Sequence, residues 1–182
     1  MRIVVSGTHA SGKSTLISDF HLRHPDFVVL PDAFEEAEDA GDTPSAALFA
    51  AQLRIAADRL ITDGAPNLIA ERGPLDFLAY LVALAELTGT DLDARVRERA
   101  SALVISAMQS VDALVVLPLS ARDGIPLPSD EYPELREAMN DALLDLIDDA
   151  EVVGEHVRIA EISGSPKERL DALEVFLRHL AT

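Results

Sequence analysis

Near the amino terminus, Gly7-Thr8-His9-Ala10-Ser11-Gly12-Lys13-Ser14 has the spacing Gly-x4-Gly-Lys-Ser, with Thr15 behind it. The two glycines let successive backbone N–H groups turn into one concavity, and an amine and a hydroxyl follow at once. That combination suits a polyphosphate. Backbone amides and a helix N-terminus take the anion, Lys13 bridges the β- and γ-phosphates, and the Ser14 hydroxyl meets Mg2+. His9 stands at a variable position of the loop, where a phosphate contact and plain solvent exposure are both open. A chance match in a glycine-rich turn is the alternative. The flanks argue against it, because Arg2-Ile3-Val4-Val5-Ser6 reads as a buried β-branched strand and residues 14–21 read as a helix start. The spacing predicts a bound nucleoside triphosphate.

The rest of the chain supplies elements to present this loop. Residues 27–30 form a second apolar strand, and Pro31 ends it, which leaves Asp32 at its carboxyl end, the edge where ligands bind in open α/β sheets. Residues 33–41 are acidic and ambiguous. A long helix is expected from Thr43-Pro44 to about Ile61, with Pro44 in its first turn. On it Gln52 and Arg59 stand seven residues apart, about two turns, so both project from one face. Asn67-Leu68-Ile69-Ala70 is a third strand running into Glu71-Arg72-Gly73-Pro74. Pro74 opens a helix that Gly89 closes, and Thr90 or Asp91 caps the next one, which runs to about Ser110. Residues 112–117 make a nearly all-apolar and hence central strand. Residues 118–133 hold Pro118, Pro126, Pro128 and Gly124 with Arg122, as a lid or binding loop would. A helix follows from about Glu134 to Asp149 with Arg136 near its start, then a strand over 157–162. Ser165 to Glu168 reads as a capping box, with Pro166 at the first position of the last helix. Strands alternating with crossover helices predict a parallel, three-layer α/β domain.

Composition narrows the classes. The chain has 182 residues, 48% hydrophobic, 26% charged and 4% aromatic, with no cysteine. Disulfides, thiolate metal sites and a cysteine nucleophile are therefore excluded. Met1 leads directly into the first strand, so no leader is expected, and the most apolar run, 77–87, is too short to cross a bilayer and contains Glu86. A cytoplasmic protein without a membrane role is the expectation. A formal charge of −17 repels nucleic-acid phosphates, so no nucleic-acid partner is expected, although a small basic pocket can sit inside an acidic envelope. No repeat or linker divides residues 1–182, which read as one domain with a lid at about 118–136.

Asn-Lys-x-Asp and Leu-Ser-Gly-Gly, the signatures of common GTPases and of transporter ATPases, are absent. The loop 7–14, Glu71-Arg72-Gly73 and the Gln52/Arg59 pair together resemble the nucleoside and nucleotide kinase branch of P-loop proteins. Glu71-Arg72-Gly73 is similar to the Glu/Asp-Arg-Ser motif of deoxyribonucleoside kinases, with Gly73 where that family has Ser. Glu71-Arg72-Gly73-Pro74-Leu75-Asp76 also resembles small bacterial AAA-type kinases that include the nicotinamide riboside kinase domain.

The resemblance implies a P-loop NTPase fold with a five-stranded parallel sheet in the order 2-3-1-4-5, helices on both faces and a lid after strand 4. It implies ATP and Mg2+ as cofactors. Gly7, Thr8, His9, Ala10, Ser11, Gly12, Lys13, Ser14 and Thr15 would hold the nucleotide, with the backbone at Gly164, in Ser163-Gly164-Ser165, around the adenine. Ser14 and Glu71 would hold the metal. Asp32 matches the position of the base that takes the acceptor's proton; a turn-forming Asp after Pro is the plainer reading, and Glu35 and Glu36 are rivals. Arg72 would contact the transferred phosphoryl group or the acceptor hydroxyl. Gln52 would read a base or amide edge, and Arg59 would join it at the acceptor; the alternatives are an exposed helix glutamine and an ion pair of Arg59 with Asp63. Arg122 and Arg136 would close over the phosphates, or simply answer surface carboxylates. Asp76 reads as an early-helix carboxylate favoured by the helix dipole.

These residues favour phosphoryl transfer from ATP to a hydroxyl of a small molecule, a nucleoside or nucleoside-like metabolite. A nucleoside monophosphate kinase, similar to thymidylate kinase, is the second reading. It needs a cationic clamp, for which Arg54, Arg59, Arg95, Arg97 and Arg99 are available, and Asp32 would repel its acceptor. A nucleotide-dependent switch acting on a protein partner is the third. The apolar helix 75–87 is expected to be core, with a homodimer face as the alternative.

Overall fold

The computed structural model describes residues 1–33, 44–119 and 132–180. Five parallel strands, β1 (Arg2–Ser6), β2 (Val28–Leu30), β3 (Leu68–Glu71), β4 (Ala113–Val116) and β5 (Arg158–Glu161), form one sheet in the order β2-β3-β1-β4-β5. That is the order the resemblance implies. The central strands are apolar on both faces because helices cover both. Alternation along β1 sends Ile3 and Val5 to a cluster with α1 (Lys13–Arg23) and α7 (Pro166–Leu180), where Leu16, Phe20, Leu173 and Leu177 meet them. Val4 points the other way, toward α2 (Ala46–Thr62), α3 (Pro74–Thr88), α4 (Ala94–Met108), α5 (Pro133–Ile147) and the short α6 (Ala150–Val153).

Three helix boundaries differ from expectation, each for a local reason. Ser45 caps α2, its hydroxyl accepting Leu48 N–H at 3.2 Å, so Pro44 lies outside the first turn. Gly89 closes α3 in the left-handed region (φ 60°), and the chain reaches its next capping carboxylate only at Asp93, not at Thr90 or Asp91. Asp93 accepts Arg95 N–H at 2.9 Å. The helix expected to reach Asp149 stops at Ile147, and Asp149 instead caps α6. The capping box of α7 is present, with Glu168 Oε2 accepting both Ser165 N–H (2.8 Å) and Ser165 Oγ–H (2.6 Å).

The apolar helix α3 is core. Leu75, Phe77, Leu78, Ala79, Leu81 and Ala83 are buried, and the helix packs between α2 and α5. Parallel register brings the strand ends to one edge: Val5 lies opposite Glu71, Ser6 opposite Val116 and Leu30 opposite Ala70. Gly7, Asp32, Glu71 and Arg72 therefore emerge together.

Gly73, at the start of α3, sits against the fully buried Val4, and a Cβ built there would lie 2.8 Å from Val4 Cγ1. This contact, rather than φ, demands glycine. Gly73→Ser is expected to destabilise the protein by about 1–3 kcal/mol through overpacking. Denaturant titration should show a smaller cost in a Val4→Ala background; an equal cost there would exclude the contact as the cause.

Candidate functional site

The loop between β1 and α1 is held by its first glycine and by cations on its carbonyls. Gly7 has φ 147°, and a Cβ there would lie 2.7 Å from the Leu117 carbonyl oxygen and 2.8 Å from Ser11 Oγ. Four successive carbonyls accept from cationic side chains. Lys13 Nζ donates to Thr8 (2.7 Å), Arg136 Nε to His9 (3.0 Å), Arg136 to Ala10 (3.4 Å) and an Arg169 terminal nitrogen to Ser11 (2.6 Å). Carbonyls engaged in this way suit an anion-binding nest, in which backbone amides face the anion. Ala10 takes a left-handed φ of 51° without being glycine.

Lys13 is buried, and burial lowers its pKa to about 7, helped by the neighbouring Arg72 and opposed by Asp76, Glu71 and Asp32. Beside it the Ser14 hydroxyl donates to Glu71 Oε1 at 2.7 Å. Hydroxyl and carboxylate thus form a hard-oxygen pair at the mouth of the loop.

Asp32 and Arg72 form a buried ion pair at 2.8 Å. Arg72 has φ 56°, and its N–H donates to Val5 O at 3.1 Å. Its guanidinium lies 5.6 Å from the Tyr80 ring centroid, and Tyr80 in turn stacks on Phe49 at 4.8 Å. Burial opposes the charge of Arg72, but Tyr80, Asp32, Asp76 and Glu71 outweigh it and raise its pKa. The position of the pair is set from both sides.

Asp76 is fully buried. It accepts Ser6 Oγ–H at 2.6 Å, Gly7 N–H at 2.8 Å and Gly73 N–H at 2.9 Å. Burial raises its pKa, while the hydrogen bonds from Ser6 and Gly7 and the charge of Arg72 pull the other way. Asp76 stands in the first turn of α3, as the sequence reading expected, and is in addition the tie between the loop and the start of that helix.

An open cleft of about 1040 Å³ joins these groups, lined by residues 9–16, Asp32, Glu71, Arg72, Ser163–Pro166, Glu168 and Arg169. His9, Ser14 and Thr15 are exposed, and Gly164 takes φ 110° in the cleft wall. Of the expected site residues, Gly7, Thr8, Arg136, Gln52 and Arg59 lie apart from the lining, Arg136 reaching the loop only at its carbonyls. Gln52 is fully buried rather than exposed, and among the described residues neither its Oε1 nor its Nε2 has a hydrogen-bond partner. Arg59 donates to the Pro31 carbonyl at 2.9 Å, bracing the strand end that carries Asp32, while Asp63 accepts Ala65 N–H at 2.8 Å. Arg54, Arg95, Arg97 and Arg99 are exposed and do not line the cleft. Arg122, Glu35, Glu36 and the centre of the expected lid lie outside the described residues.

Sequence reasoning missed Asp76 in its tying role, Tyr80 and Arg169. The signal for Asp76 was a carboxylate in the first turn of a helix whose next ten residues, Phe77 to Glu86, are apolar but for the last. Arg169 gave none, since an arginine on an amphipathic helix is ordinary.

No family model and no curated protein matches the sequence. Solved structures do match. The chain is similar to deoxyadenosine kinase from M. mycoides, a structure with products dCMP and a flexible dCDP bound, at TM-score 0.68 and 15% identity over 99% of this chain and 100% of that one. It is similar to thymidylate kinase from Candida albicans at TM-score 0.65 and 16% identity, over 97% and 90%. A NadR protein in complex with NR gives TM-score 0.64 and 17% identity, over 99% of this chain and 51% of that one. With the sheet order and the loop after β1, these matches show the P-loop NTPase fold. Among the described residues no helix is long and apolar enough to cross a membrane.

The lowered pKa of Lys13 has a measurable consequence. A polyphosphate beside the amine favours its charged form, so binding of magnesium-free ADP at about pH 8 should take up a proton, and affinity should fall with rising pH by up to about tenfold per unit. Calorimetry in buffers of different ionisation enthalpy reads the uptake directly, and Lys13→Met should abolish it. Zero uptake in the parent protein would mean that Lys13 is already charged when free.

Proposed function

We propose that this chain is an ATP-dependent kinase that phosphorylates a hydroxyl of a neutral small molecule, a nucleoside or nucleoside-like compound. The observation that carries this reading is the Asp32–Arg72 pair lining the same cleft as Lys13 and Ser14. A carboxylate within a cleft suited to phosphate is costly unless it has work there, and taking a proton from an attacking hydroxyl is that work. Arg72, held to the carboxylate, orients it and offers remaining N–H groups to the acceptor or the transferred group. Lys13 and Arg136 neutralise charge on the donor phosphates. Hard oxygen donors fit Mg2+, and Ser14 with Glu71 would hold it; when bound it supplies charge neutralisation at the phosphates. The similar structures support the class, since one contains bound dATP and another dCTP.

A monophosphate acceptor is less well supported. Its second phosphate needs free cations on the acceptor side, yet Arg72 is tied to Asp32 and the arginines at the start of α4 stand away from the cleft. Gln52 supports a neutral acceptor with an amide-like edge, because a buried amide left without partners costs about 1–3 kcal/mol unless a ligand completes it.

Assay of ATP consumption against nucleosides, nucleoside monophosphates, sugars and amino alcohols tests the proposal. Stimulation by one uncharged compound, with its phosphate ester found by mass spectrometry, is expected. Stimulation only by monophosphates selects the second reading, and a flat response points to a protein partner. Asp32→Asn should lower kcat by about 10²-fold or more while ATP affinity holds; full activity would remove Asp32 as the base. Gln52→Leu should raise the acceptor KM about tenfold or more yet leave the free protein as stable or more so, since it removes an unsatisfied amide. Lost stability with an unchanged KM would assign Gln52 to the core alone.

A further inference from the structure

Arg169 lies far from the loop in sequence, in the first turns of α7, and is 4% exposed. Its guanidinium donates to the Ser11 carbonyl at 2.6 Å, across 158 residues of chain, and lines the cleft. The peptide it grips precedes Gly12, which has φ 90°. A peptide followed by glycine is among the easiest to flip, because glycine tolerates both signs of φ. A trans peptide points its N–H opposite to its C=O, so fixing the Ser11 carbonyl toward α7 aims Gly12 N–H away from α7 and into the loop. Arg136 does the same for the two preceding peptides from α5.

We infer that Arg169 is a positioning residue of the phosphate cradle: it locks the Ser11–Gly12 peptide in the orientation that presents Gly12 N–H to a bound polyphosphate. This rests on the reading of residues 7–14 as a phosphate cradle. Loop glycines give the freedom to form the cradle, and a cation from the last helix removes the alternative orientation.

The test uses tripolyphosphate and adenosine as separate probes on the full chain. Arg169→Met, close in length and without donors, should weaken tripolyphosphate binding about tenfold to a hundredfold, with adenosine affinity unchanged. Arg169→Lys, which keeps a charged donor, should recover part of the loss. In ¹⁵N-labelled, ligand-free Arg169→Met, the Gly12 amide resonance should shift or split. Weakened binding with an unmoved Gly12 resonance would mean direct phosphate contact and overturn the positioning role. Equal loss for both probes would reduce Arg169 to general stability and overturn it too. Should Arg169→Met fail to fold, Arg169→Lys decides, with an intermediate loss in support and parental binding against. A parent chain that binds no tripolyphosphate removes the cradle reading itself, whereas tight binding by parent and Arg169→Met alike removes only the inference.

Discussion

One buried carboxylate holds the site together. Asp76 sits in the first turn of α3 and takes hydrogen bonds from the end of β1, from the first loop glycine and from the residue after Arg72. Desolvating an unpartnered carboxylate is prohibitive, so full burial is tolerable only because three donors and the positive end of the helix meet it. Each hydrogen bond to a charged group contributes about 1.5–3 kcal/mol, and all are lost together if the carboxylate moves. The consequence is mechanical. Gly7 and Gly73 flank the two turns that present Lys13 and Arg72, and one side chain fixes the spacing between those turns.

That spacing is needed because the site stores strain. Ala10 and Arg72 are the non-glycine residues at positive φ among those described, and both lie in the cleft wall. Such conformations cost about 1–3 kcal/mol each and persist only when the surroundings impose them. Arg72 is imposed upon by the Val5 carbonyl, Asp32 and the Tyr80 face, and Ala10 by Arg136 from α5. Charge shows the same concentration. A chain of net charge −17 brings Lys13, Arg72, Arg136 and Arg169 to one loop and one cleft. Distant carboxylates are screened beyond about 8–10 Å at ordinary salt, so these nearby cations govern an anion in the cleft.

How much of this the sequence announces follows from how local each interaction is. The five strands and the loop were legible because glycine spacing and apolar runs are contiguous signals, while the strand order came only from the resemblance those motifs carry. Helix starts were less so: Asp93 caps α4 in place of nearby Thr90 or Asp91, a choice made by where the turn at Gly89 releases the chain. Gly73 departs from the serine of the resembling family, and only packing against Val4 explains it. Arg169 is invisible because its partner is a backbone carbonyl at the other end of the chain, and a carbonyl has no sequence identity.

The two halves of the cleft therefore differ in kind. Around residues 7–14 recognition is by backbone amides and a helix terminus, groups that every residue carries, so spacing alone encodes it. Around Asp32 and Arg72 it is built from side chains at the ends of β2 and β3. A one-residue change in any of those elements would re-aim them without altering the fold. Arg59 illustrates the dependence: the Pro31 carbonyl it braces fixes the approach of Asp32 to Arg72. On the proposed kinase reading phosphate donors are alike and acceptors are not, so the backbone half can stay constant while the half around Asp32 and Arg72 varies through side chains held by second partners.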